Sequence, residues 1–253
     1  MRTGELMTTQ PSAFLTAQWR NLVMLNYEID PALIRSRVPA GTELDYWNGR
    51  AFVSLVGFRF LETRLKGWRV PFHVNFDEVN LRFYVRYKSG GEWHRGVVFV
   101  KEIVPRMAVS LVARWVYNEQ YVTLPMRSAI DLPTPANGYR GSVGYFWKRA
   151  GRWNEVSVQI SGEPSALEPG SEAEFITEHY WGYTAQRDGS TLEYSVEHPS
   201  WRVWRAEQSR FDGDVATLYG HDFARVLGSA PSSAFVCDGS EITVRPGRQT
   251  RIE

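Results

Sequence analysis

HVNFDEVNLRFYVR, running from His73 to Arg86, is the stretch on which the fold turns. Its odd positions Val79, Leu81, Phe83 and Val85 are apolar, while the even positions are Glu78, Asn80, Arg82, Tyr84 and Arg86. A period of two is the mark of a β-strand with one face on a core. Before Asp77 the phase inverts, with Val74 and Phe76 apolar and His73 and Asn75 polar. An inversion predicts a β-bulge or a change of layer near Asp77 and Glu78. The polar face has two readings: a wet outer surface with ordinary charge pairs, or the wall of a pocket.

Strand signals extend on both sides of this segment. Ala51–Leu61 is apolar on both faces and predicts a fully buried strand. Val97–Val104 reads the same way up to Lys101 and Glu102. Gly144–Trp147 and Glu155–Ile160 flank Arg149–Arg152 as the arms of a hairpin would. Leu192, Tyr194, Val196 and His198 share one side of a further strand. Asp238-Gly239 predicts a tight turn within Phe235–Val244.

Helices are few. Asp30 caps a short one that starts at Pro31. Met107, Ala108, Leu111, Val112 and Trp115 recur at helical spacing, and a third helix is expected over Asp214–Leu227. Leu132–Gly141 and Glu163–Gly170 are loops. The fold class is mainly β, a β-rich α+β chain with a few short helices.

Composition narrows the function classes. The chain has 253 residues, enough for one or two domains, and 29 basic residues balance 28 acidic ones. No basic stripe is present, which argues against a nucleic-acid partner. One cysteine, Cys237, forms no intrachain disulfide, and no apolar run reaches the roughly 20 residues of a membrane span. A cytoplasmic protein with no membrane partner is the expectation, with residues 1–10 a flexible tail. Five histidines form no metal-binding pair, there is no CxxC, and no phosphate-cradling glycine motif occurs. No metal and no cofactor are expected. Two aromatic-polar clusters remain, EHYWGYT (Glu178–Thr184) and EYSVEHPSW (Glu193–Trp201).

Six segments occur in an order that resembles a known family: NYEIDPALIRSRVPAG, HVNFDEVNLRFYV, FVKEIVPR, ARWVYNEQY, EHYWGYT and EYSVEHPSW. They resemble the YqjF-like family of unknown function, itself similar to the acetoacetate decarboxylase superfamily, over roughly Ala17 to Val244. The resemblance implies a single domain over 11–253, with curved antiparallel sheets forming a cone-like barrel around a central pocket. Decarboxylase chemistry in that superfamily uses a lysine that forms a Schiff base with a β-keto acid. Its pattern is Gly-Arg-Glu, a short spacer, then Pro-Lys-Lys. Here Arg114 keeps the arginine, but Trp115 replaces the glutamate, Gln120 the proline, and Tyr121 and Val122 the two lysines. Glu28 falls near the position of the substrate-carboxylate arginine. Glu78 matches the superfamily's pocket glutamate, and Lys101 is the nearby lysine that could replace the nucleophile.

Three functions follow as expectations. The first is a protein that binds a small organic molecule in a central pocket, lined by Arg82, Arg114, Tyr121, Asn80 and His198, on a scaffold lacking the Schiff-base lysine. The second is an enzyme, of lyase or hydrolase type, with Glu78 as catalytic acid or base. The third is an assembly role as a homo-oligomer. The protonation of Glu78 separates the first two: a carboxyl raised by burial suits proton transfer, and one held ionised by Arg114 suits a clamp.

Overall fold

The computed structural model describes residues 12–71, 73–105 and 120–250. The chain opens with β1 (Leu15–Ile29), then α1 (Pro31–Ile34), β2 (Thr42–Leu44), β3 (Ala51–Leu65), β4 (Trp68–Arg69), β5 (Phe76–Ser89) and β6 (Glu92–Val104). It continues through β7 (Tyr121–Thr123), β8 (Met126–Asp131), β9 (Arg140–Arg149), β10 (Arg152–Ser161) and α2 (Glu172–Thr177). The last part holds β11 (Trp181–Ala185), β12 (Thr191–Glu197), β13 (Val203–Asp212), α3 (Val215–Tyr219), α4 (His221–Leu227), β14 (Ser233–Val244) and β15 (Arg248–Gln249).

One curved sheet organises these strands. Its path runs β15-β12-β11-β6-β5-β3-β1-β14-β13-β10-β9-β8. A second contact pairs Val196 of β12 with Val244 of β14 and bends the strands between them into a ring. The ring is uneven, a strongly curved sheet rather than a regular barrel, because this closure rests on two residue pairs against twelve between β1 and β3.

Among the described residues apolar clusters pack on both sides of the curved wall, and this explains β5. Val79, Leu81, Phe83 and Val85 pack with Val143, Tyr145, Trp147 and Val156 of the β9–β10 layer. Tyr84, on the even face, packs inside the ring with Met24, Phe52, Val56 and Phe58. Both faces of the strand are therefore buried. The expected bulge at Asp77–Glu78 is absent: β5 pairs with β3 without a break from Phe76–Phe60 to Phe83–Val53. The register shift lies on β6, where Leu81 faces Lys101 and Arg82 faces Phe99. Phe76 shares its face with Glu78, so the sequence pattern inverted because one continuous inner face changes from apolar to polar.

Other expectations divide similarly. Asp30 caps α1 through Ala32 N–H at 2.9 Å, with Pro31 at the first position. The β9–β10 hairpin turns at Ala150 and Gly151, both with positive φ, as a type I′ turn requires. The turn expected at Asp238-Gly239 does not form. β14 runs straight through it, Gly239 pairing with Arg20 and Cys237 with Leu22. Gly239 has φ +80°, and a Cβ there would collide with the Trp19 carbonyl, so the glycine serves a close strand approach. The helix expected over Asp214–Leu227 is two helices. Asp214 caps the first, and Gly220, with φ 97° and ψ 162°, breaks the backbone between them. The helix expected around Met107–Trp115 lies outside the described residues, as does Arg114.

Candidate functional site

The ring encloses a cavity of about 230 Å³. Its apolar wall is aromatic. Phe60 stacks on Phe76 at 4.6 Å between ring centroids, Trp19 meets Phe58 edge-on at 5.2 Å, and Trp201 stacks on His198 at 4.1 Å. Gly182 lets Tyr194 close one side, since a Cβ there would overlap the tyrosine ring.

The polar side is built on β5. Because side chains repeat every second residue along a strand, Glu78, Asn80 and Arg82 form a ladder on one face, and all three line the cavity. Glu78 is 3% exposed, and its Oε1 accepts a hydrogen bond from Asn80 Nδ2 at 3.0 Å. Burial raises its carboxyl from 4.5 to about 7, against the Asn80 hydrogen bond and the charge of Arg82, which favour ionisation. A carboxyl raised toward neutrality in this way is suited to passing a proton.

Arg82 is 8% exposed. Its Nη2 donates to the Ile176 carbonyl at 3.4 Å and approaches Met24 Sδ at 3.9 Å. Among the described residues its Nε has no hydrogen-bond partner and its guanidinium makes no salt bridge. Glu78 interacts with it through charge without touching it, so among the described residues the buried guanidinium is left with no carboxylate in direct contact.

Tyr121, on β7 beside Glu102 of β6, also lines the cavity, as does His198. His198 Nδ1 donates to the Pro199 carbonyl at 2.9 Å in the neutral form, and burial lowers its pKa. Five of the six residues singled out from sequence thus meet at one cavity: Glu78, Asn80, Arg82, Tyr121 and His198. Glu28, which the resemblance set near a substrate-carboxylate arginine, is exposed and pairs with Arg50 at 3.6 Å.

The sequence holds four lysines, Lys66, Lys88, Lys101 and Lys148, and none lines the cavity. Lys101 pairs with Leu81, whose side chain belongs to the core on the other side of the sheet. Burial lowers its pKa, and so do Arg149 and Arg37, but it lies off the cavity. Among the described residues no group of three His, Cys, Asp or Glu side chains is placed to hold a metal, and no helix is long and apolar enough to cross a membrane.

Sequence reasoning missed His179 and its support. His179 follows α2, lines the cavity, and directs Nε2 to Asp45 Oδ2 at 3.2 Å. The same oxygen accepts from Arg95 Nε at 2.7 Å. EHYWGYT carried a signal for His179, but nothing near Asp45 in sequence pointed to its partner 134 residues away.

Comparison with known proteins agrees with this architecture. A crystal structure of acetoacetate decarboxylase from Legionella pneumophila superimposes with TM-score 0.64 at 13% identity, covering 99% of this chain and 92% of that one. An acetoacetate decarboxylase-like enzyme from Sphingomonas wittichii gives 0.63 at 14% identity, covering 98% and 100%. The enduracididine biosynthesis enzyme MppR, complexed with pyruvate, gives 0.62 at 16% identity, covering 97% and 93%. These likenesses establish the acetoacetate decarboxylase-like fold. In sequence, the uncharacterized protein YqjF of Bacillus subtilis is 26% identical over 208 residues, 80% of each chain. With residues 16–241 matching the family of uncharacterized conserved proteins DUF2071, the chain belongs to that family.

Proposed function

We propose that this protein binds a small organic acid in the central cavity, with the carboxylate on Arg82 and the apolar body against the aromatic wall. The observation that carries this reading is Arg82 itself, a buried guanidinium on the cavity wall that makes no salt bridge among the described residues. Arginine matches a carboxylate with paired N–H donors, and an anion that enters replaces the hydration the cation has lost. Size points the same way. A dry cavity of ~150 Å³ holds benzene, so about 230 Å³ takes a ligand of roughly ten non-hydrogen atoms. MppR, of the same fold, is a complex with pyruvate, itself an organic acid.

Hydrocinnamate and its neutral amide, hydrocinnamamide, test this directly. Both fit the size and differ in the charge that Arg82 would read. Calorimetric titration is expected to show the acid at least about tenfold tighter, a difference of ~1.4 kcal/mol. Equal affinities would remove the reading.

A second reading, an enzyme of lyase or hydrolase type with Glu78 as acid or base, draws on one further observation. Burial brings that carboxyl to about 7, where it exchanges a proton at physiological pH. Either way no Schiff base is involved. Because no lysine faces the cavity, treatment with pyruvate and borohydride is expected to leave the protein mass unchanged; a stable adduct on a lysine would contradict this.

A further inference from the structure

We infer that an organic acid enters this cavity together with a proton, which Glu78 takes up. This rests on the acid-binding reading and deepens it.

The geometry is that of one strand face. Glu78, Asn80 and Arg82 follow one another at every second residue of β5, and all three line the cavity. β3 holds them in register, with Phe58 opposite Glu78, Val56 opposite Asn80 and Ser54 opposite Arg82. Asn80 stands between the two charged groups and donates Nδ2 to Glu78 Oε1 at 3.0 Å. The carboxyl and the guanidinium thus face one cavity and act on each other through charge rather than through contact.

As a pair, an ionised Glu78 and Arg82 balance. A carboxylate that arrives on Arg82 removes that balance: two anions then depend on one guanidinium in a site taken out of water, and each raises the pKa of the other. Protonating one of them restores the balance. A free carboxylic acid ionises at the ordinary carboxylate value, whereas burial has already moved Glu78 toward neutrality. Glu78 is therefore the group that takes a proton from solvent, and the ligand stays an anion. Because Oε1 accepts from Asn80, Oε2 is the atom left to carry the proton. The Asn80 hydrogen bond survives, since a protonated carboxyl keeps an acceptor oxygen.

The other charged or titratable side chains on the cavity are His73 before β5, Glu102 of β6, Tyr121 of β7, His179 after α2, Tyr194 of β12 and His198 just beyond it. Burial brings His179 to about 4 and lowers His198 below its ordinary value, so both stand neutral above neutral pH. Glu102 is also buried, but its place on β6 is opposite Asn80. Substitution of Glu78 separates its share from that of every other group.

Calorimetry of hydrocinnamate at about pH 7.5 in Tris and in triethanolamine, cationic buffers with different heats of ionisation, counts the protons exchanged. The intact protein is expected to take up on the order of half a proton per acid bound, and to bind at least about fivefold more weakly at about pH 8.5 than at about pH 6.5. Glu78→Gln is expected to take up none and to bind alike at the two pH values. Neutral hydrocinnamamide, which brings no charge, is expected to take up none. No uptake in the intact protein, an uptake that survives Glu78→Gln, or an equal uptake with the amide would each overturn the inference. If the variant fails to fold, carbon-13 NMR of the Glu78 carboxyl in the intact protein decides: its titration midpoint is expected to rise with hydrocinnamate bound, and an unmoved midpoint would overturn the inference equally. Acid that binds without a proton leaves the acid-binding reading standing and removes only this one; acid that does not bind removes both.

Discussion

Arg82→Met is expected to weaken hydrocinnamate binding by at least about a hundredfold, ~2.7 kcal/mol, while leaving the folded protein as stable as before to within about 1 kcal/mol. The two halves of that result come from the same fact. Arg82 is buried and makes no salt bridge among the described residues, so what its charge gives the fold is the longer-range interaction with Glu78. Its removal forfeits one long hydrogen bond to the Ile176 carbonyl and a contact with Met24, while a methionine fills similar volume and needs no solvation. The ligand, by contrast, loses the counter-charge that the proposed site supplies. Isothermal calorimetry and urea unfolding measure the two halves separately. A large loss of stability with unchanged affinity would make Arg82 a structural residue.

The second large effect is hidden in the intact protein. Glu78 has its folded pKa raised from 4.5 to about 7, so the stability it contributes is full below 4.5 and is lost as pH rises toward 7. His179 has its folded pKa lowered from 6.5 to about 4, so its contribution is full above 6.5 and is lost as pH falls toward 4. Each interval, at ~1.4 kcal/mol per pH unit, corresponds to roughly 3 kcal/mol. Between 4.5 and 6.5 the slopes oppose, and these two groups together leave stability nearly flat with pH. Single substitutions expose them. Relative to the intact protein, Glu78→Gln is expected to gain stability as pH rises from 4.5 to 6.5 and His179→Phe to lose it; taking each as a difference from the intact protein cancels the slope of His198, whose pKa burial also lowers. The groups that set these values are Asn80 and Arg82 beside Glu78, and Asp45, Arg95 and Arg82 beside His179. Urea unfolding at half-unit steps checks the slopes; two variants that both run parallel to the intact protein would show that neither group is shifted by burial.

Much of this arrangement was legible in sequence because it is local. The alternation of Val79, Leu81, Phe83 and Val85 against Glu78, Asn80 and Arg82 gave a strand and its two faces, and a strand's period alone places those three polar groups together. What alternation could not show was that both faces are buried. A face against a cavity and a face against water carry the same residue types. The inversion at Asp77 suggested a bulge for the same reason: Phe76 and Glu78 line one cavity, and the change from apolar to polar belongs to the cavity rather than to the backbone.

Other features depend on partners far along the chain. Asp238-Gly239 has the local chemistry of a turn, yet β1 pairs straight across it, because tertiary pairing outweighs local preference. His179 stood in a motif that drew notice, but its meaning depends on Asp45 and Arg95, which the ring brings to it from β6 and from the loop after β2. The resemblance implied that Tyr121 and Val122 stand where that superfamily has lysines, and none of the chain's four lysines lines the cavity.

The most direct measurement is a crystal structure of the protein grown with saturating hydrocinnamate. The expected result is density in the central cavity, with the carboxylate within hydrogen-bonding distance of the Arg82 guanidinium and the phenyl ring against Trp19 and Phe58. A cavity without the acid, or an acid bound with its carboxylate away from Arg82, would contradict the assignment of this site.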